Sequence, residues 1–547
     1  MSRRRSDSRA ATPAKAGFRQ TMTWLHTWVG LTFIWLLFFV FVTGTAGYFD
    51  TEIDRWMQPE LPPAQIGVDA SDSVPVLLNH ARLVAPGAEQ WFLSLPVDRN
   101  QPYASLFWRG ADPEQGAQQT SGNALIDLRD GAVLQARDTG GGQLLYQMHW
   151  RLHYLSRNYS DWIITLATMF MFVAIIAGVI IHKRIFRDFF TFRPGKGQRS
   201  WLDAHNLLSV AALPFHLMIT YSGLLFMGFS FMPLVYSAYY GTDNGARGEF
   251  FAEVFDPPGL TAAAGEAAPL VSLALVVAEA EQHWGENRVR SLDIRHPGDA
   301  NARIFVHENA EQTVANSEGL LVFDGSNGSL IHALPSATST TKRIRDVSLG
   351  LHEGLFAAPV LRWLYFFSGV LGTGMVATGM VMWTVKRREQ AVRTKVPPSA
   401  GLLLVEKLNV GTIAGLFVGI AAYFWANRLL PVDFVSRADW EAHALFLTWA
   451  AMLLHAAVRP TRQAWVEQFA LGGLAFAALP VLNWLTTDRH LGQSVPAQDW
   501  VLAGFDLTVL ALGLTLLVIA GYLASRLGYV NRHLPHDAAA STLGVSR

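Results

Sequence analysis

Eight apolar stretches, each long enough to cross a lipid bilayer, constrain the fold of this chain of 547 residues more than any other feature. A membrane-spanning helix needs about 20 predominantly apolar residues. The stretches lie at residues 22–48, 162–181, 206–230, 360–385, 401–425, 440–458, 464–486 and 499–525. The composition agrees, since 51% of the residues are hydrophobic and only 16% are charged. We therefore predict a mainly α-helical, polytopic membrane protein with about eight transmembrane helices.

Basic residues are concentrated in four segments next to the ends of these stretches. They are Arg3, Arg4, Arg5, Arg9, Lys15 and Arg19 before the first stretch, Lys183, Arg184, Arg187, Arg193, Lys196 and Arg199 after the second, Lys386, Arg387, Arg388, Arg393 and Lys395 after the fourth, and Arg459 and Arg462 after the sixth. By the positive-inside rule these segments face the cytoplasm, which places both termini there and two long loops outside. The net charge is zero, so the charge gives no indication of a nucleic-acid partner. The apolar stretches indicate that membrane lipid surrounds the chain.

The chain contains no cysteine. This absence excludes disulfides, thiolate zinc sites, iron–sulfur clusters and covalently attached c-type haem. A bound redox metal would therefore have to be held by histidine, methionine, tyrosine or carboxylate side chains.

The two long outer loops, at about 50–148 and 231–348, end with the same motif. Asp127 closes an apolar run and precedes Gly131 by four residues, and Asp324 stands in the same way before Gly328. This arrangement predicts a hairpin in each loop. Each loop is also predicted to contain one helix and two strands before the motif. These elements are Val74–Val84, Gln90–Pro96 and Tyr103–Trp108 in the first loop, and Val271–His283, Val289–Ile294 and Ala302–His307 in the second.

The recurrence of these features predicts an internal duplication. Residues 21–200 and 201–390 are two copies of a unit made of a helix, an outer domain and a second helix. Residues 1–20 form a basic cytoplasmic tail, residues 400–527 carry four additional transmembrane helices, and residues 528–547 form a second cytoplasmic tail. Parallel repeats of this kind tend to pack around a pseudo-two-fold axis along the membrane normal.

Histidines open two of the membrane helices at equivalent positions of the repeats. His26 precedes Gly44 by 18 residues, and His205 precedes Gly223 by the same number. A histidine inside an apolar span is costly and usually functional. Two histidines at matched depth can hold one metal between them.

The double unit resembles the PepSY-associated transmembrane proteins over roughly residues 18–390. The features in common include the openings Leu152-His153 and Leu351-His352 and the endings Ala177-Gly178 and Thr378-Gly379. The resemblance implies two small α+β PepSY-like periplasmic domains and a bacterial inner-membrane location. It also implies bound haem and a role in iron use, because the family includes iron-regulated inner-membrane proteins and haem-containing reductases of ferric siderophores.

The resemblance makes the paired histidines candidate axial ligands of two b-type haems. His26 and His205 would hold one haem iron near the cytoplasmic boundary, and His153 and His352 a second near the outer boundary. The alternatives are that the first pair bonds lipid or backbone at the interface and that the second pair is solvated. His149 lies one turn before His153 and could replace it as the ligand.

His216 is a further candidate cofactor-binding residue. It follows His205 by 11 residues, which on a continuous helix returns to within about 20° of the same face and about 16 Å further along. Three roles are open for it: a haem ligand, a buried hydrogen-bonded side chain, or a relay between the two sites. Pro214 would loosen the helix and free a carbonyl group, which suits the second role equally well.

Three functions are compatible with these features. The first is a haem-dependent oxidoreductase that carries electrons from a cytoplasmic donor or quinol to a periplasmic ferric siderophore or other iron chelate. No catalytic acid–base set is visible, and no nucleotide-binding Gly-x-Gly-x-x-Gly follows a cytoplasmic strand, so the donor would be a separate molecule. The second is an iron-chelate or haem transporter, which would use ionisable residues such as Glu406, Lys407, Glu441 and Glu467. The third is a non-catalytic envelope regulator of PepSY type, which would bind no pigment.

Overall fold

The computed structural model describes residues 17–533, except residues 112, 183–186, 188, 190, 229–232, 242–244, 256–257, 310–312, 316 and 336–338. The predicted basic tail up to residue 16, the basic residues Lys183 and Arg184, and the predicted C-terminal tail from residue 534 onward lie outside the described residues.

Helices account for most of the described chain. They are α1 (Phe18–Ala46), α2 (Asp50–Met57), α3 (Ala70–Val84), α4 (Gly141–Met148), α5 (Arg157–Ile181), α6 (Gln198–Ala211), α7 (Leu213–Phe226), α8 (Pro233–Tyr240), α9 (Ala246–Phe255), α10 (Leu273–Trp284), α11 (Thr340–Glu353), α12 (Pro359–Thr394), α13 (Ala400–Ile413), α14 (Gly415–Leu429), α15 (Arg437–Val458), α16 (Thr461–Ala477), α17 (Leu479–Thr486), α18 (Leu491–Ser494) and α19 (Trp500–His533).

Seven helical segments of the described chain are long and apolar enough to cross a membrane, and the bent pair α6 and α7 gives an eighth if it is counted as one span. α13 with α14, and α16 with α17, each form one segment. The predicted apolar stretches all coincide with these segments. The structure therefore confirms a multi-pass helical membrane protein.

A break at Ala212 separates α6 from α7 and bends the pair by 68°. The backbone of Ala212 is not helical, with φ −121° and ψ 25°, and Pro214 follows two residues later. Proline lacks a backbone N–H and restricts the residue before it, so a helix tends to break there. The prediction that His205 and His216 share one face of a continuous helix is therefore wrong.

Both outer loops contribute to one antiparallel sheet. Its strands are β1 (Gln90–Ser94), β2 (Ala104–Arg109), β3 (Ser121–Ile126), β4 (Val289–Arg295), β5 (Arg303–Glu308), β6 (Leu320–Asp324) and β7 (Leu330–Leu334), in the order β3-β2-β1-β4-β5-β6-β7. β1 of the first loop pairs with β4 of the second, with Leu93 opposite Leu292 and Ser94 opposite Ser291. Sequence patterns predicted two separate small domains. The structure joins them, because pairing β1 with β4 covers one exposed strand edge of each half.

The elements predicted within each loop are confirmed. α3 and α10 pack on the sheet and share one apolar core with it. The two aspartate motifs form the same turn, since Gly131 N donates to Asp127 O at 2.8 Å and Gly328 N donates to Asp324 O at 2.9 Å. Both glycines have positive φ, 74° and 78°, a region that favours glycine.

Helices α13–α19, which we call the C-terminal helices, share a core with the helices that precede them. Phe38 of α1 and Met380 of α12 belong to the same buried cluster as Tyr423 of α14 and Phe476 of α16. The C-terminal helices therefore pack as part of one bundle with the preceding helices.

The sheet contacts one end of this bundle, where Arg99 Nη1 donates to Glu52 Oε2 of α2 at 2.9 Å. We call this end the sheet side. The opposite end is the one where Arg193 and Lys196 lie just before α6 and Lys395 lies just after α12, and we call it the basic side.

Replacing Ser94 and Ser291 by cysteine should create a disulfide between β1 and β4. Directly opposed residues of an antiparallel pair have Cα atoms about 4.5–5.5 Å apart, within the range of about 4.4–6.8 Å that a disulfide bridges. Because the chain has no cysteine of its own, mass spectrometry of non-reduced peptides would detect the new link without background.

The matched control is Ser105→Cys combined with Ser291→Cys. Ser105 lies opposite Ser94 on β2, so this pair is two strands apart, about 9.5 Å, and should remain reduced. A Ser94–Ser291 double variant that stays reduced under oxidising conditions would contradict the continuous sheet.

Candidate functional site

His26 of α1 and His205 of α6 face each other toward the basic side of the bundle. Their ring centroids are 6.4 Å apart, and the ring planes cross at 71°. His26 Nδ1 bonds to Ala174 O of α5 at 2.8 Å, and His205 Nδ1 bonds to Met375 O of α12 at 2.9 Å. The structure therefore brings together the two histidines expected to form a pair, while their ligation of a metal stays a prediction.

A second histidine pair lies on the sheet side. His149, directly after α4, and His352, near the end of α11, have ring centroids 6.3 Å apart and ring planes at 23°. His149 Nδ1 bonds to Tyr146 O. His352 Nδ1 bonds to Ser222 Oγ at 2.9 Å, and that hydroxyl donates its own hydrogen to Met218 O at 2.6 Å.

This pair differs from the expected combination of His153 with His352. The ring of His153 instead packs against Phe446 of α15, with centroids 5.9 Å apart. The reason is local: α4 ends just before His149 and α5 begins only at Arg157, so a turn separates the two histidines. His149 and His153 do not share one helix face, and the histidine named as the alternative is the one that meets His352.

The sheet-side pair borders a cavity of about 430 Å³. This volume lies within the range of about 300–1,000 Å³ typical of ligand pockets. The walls come from α1, α5 and α7 and are mostly apolar, with a few polar side chains. Those include Tyr48, Tyr146, His149, Arg157, Asp161, His352 and Glu353.

All four paired imidazoles pack against a glycine of another helix. A Cβ atom added to Gly178 or Gly379 would lie 3.2 Å from His26 Cε1 or 3.4 Å from His205 Cε1. A Cβ atom at Gly44 would lie 3.4 Å from His149 Cβ, and one at Gly223 would lie 3.2 Å from His352 Cε1. The 18-residue spacing thus has a structural meaning. Each of α1 and α6–α7 carries a histidine of the basic-side pair at one end and the glycine that receives a sheet-side histidine at the other.

The hydrogen bonds define which ring nitrogen of each imidazole carries the proton. A carbonyl oxygen only accepts, so Nδ1 is protonated in His26, His205 and His149. When the Ser222 hydroxyl donates to Met218 O, it accepts from Nδ1 of His352. In the neutral ring, Nε2 then keeps a free lone pair, which is the arrangement of metal-ligating histidines.

The ring separations agree with this arrangement. A metal–nitrogen bond is about 2.0–2.1 Å long and the ring centroid lies about 1.1 Å beyond the nitrogen, so two rings on opposite sides of one metal have centroids about 6.3 Å apart. Rings that only pack against each other also have centroid separations of about 4.5–7 Å, so the ring tautomers are the stronger indication of a metal site.

Burial keeps the sheet-side imidazoles neutral. It lowers the pKa of His149 to about 4, and together with the neighbouring His149 it lowers the pKa of His352 to about 3. Both rings are therefore uncharged at neutral pH, which is the form that binds a metal ion.

His216 belongs to neither pair. It is 1% exposed, its Nε2 lies 3.3 Å from Ser368 O, and its Nδ1 is buried with no hydrogen-bond partner. Gly372 of α12 packs against His216 and lies seven residues before Gly379, the glycine that faces His205. On α7, His216 lies seven residues before Gly223, the glycine that faces His352. Seven residues of helix rise about 10 Å, so His216 lies about midway between the two pairs.

Sequence reasoning missed the residues that hold α4 in place. Gly140, Gly141 and Gly142 begin this helix, and a Cβ atom at Gly142 would lie 2.0 Å from the backbone oxygen of Asp50. Glu441 of α15, considered only as part of a transport path, contacts the same turn. The glycine triplet is the signal that could have identified this close approach of two backbones.

Comparisons with known proteins match the part of the chain that contains the paired histidines. A family model described as the PepSY-associated TM region matches residues 23–386, which include all four paired histidines. An uncharacterized protein of Pseudomonas aeruginosa is 26% identical over 363 residues, covering 62% of this chain and 85% of that protein. The family match confirms the resemblance drawn from the sequence.

Gly142→Ala should displace α4 and destabilise the protein by about 1–3 kcal/mol or more, because the added methyl group has no space beside the Asp50 carbonyl. The control is Gly504→Ala in α19, where nothing lies within 4 Å of the added Cβ. The control should be neutral or slightly stabilising. Thermal unfolding in detergent compares the two, and equal midpoints would contradict the close packing at α4.

Proposed function

Because the chain belongs to the family of the PepSY-associated TM region, we propose that it is a haem-dependent electron-transfer protein of a bacterial inner membrane. The basic side would face the cytoplasm, since basic segments flank its spans there. The sheet would then lie in the periplasm. In this proposal the protein passes electrons from a cytoplasmic donor or quinol to a periplasmic acceptor, which is ferric iron held by a siderophore.

The observation that carries the proposal is the presence of two imidazole pairs at opposite ends of one helix bundle. Their centroid separations, 6.4 and 6.3 Å, are nearly equal, although the four histidines come from four different helical segments. Each ring also has Nδ1 engaged and Nε2 available. Packing alone does not require both features to recur at both ends.

The donor set fits b-type haem, whose iron binds neutral imidazole nitrogens. His26 with His205, and His149 with His352, would hold it. When bound, haem supplies one-electron transfer at a potential set by its axial ligands and surroundings. Gly44, Gly178, Gly223 and Gly379 orient the rings, and the cavity next to His149 and His352 provides space for a ligand.

The interior between the pairs is apolar and aromatic. His26 and Gly44 are about 27 Å apart along α1. His216 lies between these levels, with its ring centroid 6.1 Å from that of Phe41 and 6.0 Å from that of Phe215. Phe41 and Phe215 also line the sheet-side cavity, which therefore reaches into the space between the pairs. We propose that His216 is a buried residue on the route between the two sites and not an axial ligand.

A ferric chelate suits the proposed acceptor. Hard oxygen donors hold ferric iron more tightly than ferrous iron, so reduction releases the metal from a siderophore. The sheet-side pair is the site nearest the periplasm in this orientation. Its cavity is lined by Arg157 together with Asp161 and Glu353, and Arg157 Nε lies 3.8 Å from Asp161 Oδ2.

The two alternative functions differ in their support. A transporter would need unpaired ionisable groups in the C-terminal helices, but Glu406 pairs with Arg388 at 2.6 Å and Glu467 pairs with His455 at 3.0 Å. Glu441 pairs with Arg437.

An envelope regulator has one feature in its favour: the edge strand β7 is largely exposed and could pair with a strand of another protein.

The purified protein should contain two b-type haems per chain and show a sharp α band after reduction with dithionite. His149→Ala and His205→Ala should each lose one haem, because each removes one axial ligand of a different pair. The measurement is pigment stoichiometry per chain, with the reduced-minus-oxidised spectrum.

Two histidine variants serve as controls. His153→Ala and His216→Leu should retain both haems, since neither side chain belongs to a pair. Colourless wild-type protein would contradict the proposal and favour the envelope regulator. Loss of pigment in His153→Ala with retention in His149→Ala would contradict the assignment of the ligands.

A further inference from the structure

The helix that leads to His149 is too short to hold its own position. α4 has eight residues, Gly141–Met148, and begins with glycines. Helices of this length are marginal in isolation, and glycine lowers helix stability further. The position of the His149 ring therefore depends on the packing of Leu145 and Met148 in the bundle core and on the contacts that hold the start of α4.

The start of α4 is held by a carboxylate from the C-terminal helices. Glu441 Oε2 of α15 accepts from Thr139 Oγ1 at 2.5 Å and from Gly140 N at 3.1 Å. Thr139 Oγ1 in turn accepts from Gly141 N at 3.1 Å. The free N–H groups at a helix start need such partners, and a negative charge there is favourable.

Glu441 is itself held in a fully buried network. Both Glu441 and Arg437 are 0% exposed, and they form an ion pair. Asn427 Nδ2 of α14 donates to Glu441 Oε1 at 2.8 Å, and Arg437 Nη1 donates to Asp138 O at 2.9 Å. A buried charge is retained only when its partners are in place, so this network fixes the carboxylate rigidly.

Two further contacts join the C-terminal helices to the same region. Tyr423 Oη of α14 donates to Gly141 O at 2.8 Å. Trp56 Nε1 of α2 donates to Asp506 Oδ1 of α19 at 2.9 Å. α2 also carries Asp54, whose Oδ1 accepts from Gly142 N at 2.7 Å. The C-terminal helices thus reach α4 both directly and through α2.

We propose that the C-terminal helices act as a positioning element for His149, with Glu441 as its central positioning residue. This inference rests on the proposed function, since it assigns a role toward the sheet-side haem. It assigns that role to a part of the chain beyond residue 386, outside the region that the family match covers.

Glu441→Ala in the full-length holoprotein is the direct test. Loss of the carboxylate should alter the EPR signal and the midpoint potential of the sheet-side haem, because His149 is no longer held in one orientation. The basic-side haem should keep both properties. The two haems are assigned by comparison with His149→Ala and His205→Ala. Glu441→Gln retains an acceptor for Gly140 N and should recover most of the wild-type signal.

The matched control is Glu467→Ala. This carboxylate also belongs to the C-terminal helices and forms ion pairs with Arg459 and His455, but it has no described contact with α4. Its removal should leave both haem signals unchanged. If Glu441→Ala keeps the wild-type potential and EPR signal at both haems, the positioning role is overturned and the proposed function still stands.

Hydrogen exchange provides a second measurement that needs no haem. The amides of α4 should exchange about tenfold faster or more in Glu441→Ala, while those of α3 stay unchanged. Unchanged exchange in α4 would overturn the inference. If the wild-type protein contains no haem, the proposed function is contradicted. The exchange rates would still show whether the C-terminal helices hold α4 in place.

Discussion

The arrangement of this bundle depends on imidazole rings that pack against glycines of neighbouring helices. An imidazole inside an apolar bundle needs a hydrogen-bond partner, and close approach to a backbone provides one. His26 reaches the carbonyl of Ala174 on α5, and His205 reaches that of Met375 on α12. These contacts tie α1 to α5 and α6 to α12, and they leave Nε2 of each ring directed away from the bonded carbonyl. The same contacts therefore serve both packing and the proposed ligation.

The sequence predicted the elements more completely than their pairing. The apolar stretches, the helix and strands of each outer loop and the turns at Asp127 and Asp324 follow from local patterns, and the structure confirms them. The joining of β1 to β4 does not follow, because strand alternation does not specify which edges pair. The equivalent sequence positions of His26 and His205 predicted that the two residues form a pair, and their ring centroids are 6.4 Å apart. The predicted pairing of His153 with His352 is wrong, because a turn between α4 and α5 interrupts the chain where the prediction placed one continuous helix.

The two proposed sites differ in how they are built. The basic-side imidazoles lie on long membrane helices, whose positions follow from packing along their whole length. The sheet-side site instead takes His149 from the end of a helix of eight residues. In our proposal its orientation depends on contacts from Glu441, Tyr423 and Asp54, which come from three different helices.

The central claim is that four imidazoles ligate two haem irons, and low-temperature EPR of the oxidised protein tests it most directly. The splitting of the iron d orbitals depends on the angle between the two axial ring planes. The structure gives 71° for His26 with His205 and 23° for His149 with His352. The account predicts two distinct low-spin ferric signals, one highly anisotropic from the crossed rings and one rhombic from the nearly parallel rings. A protein that shows no low-spin ferric signal, or only high-spin haem, would contradict it.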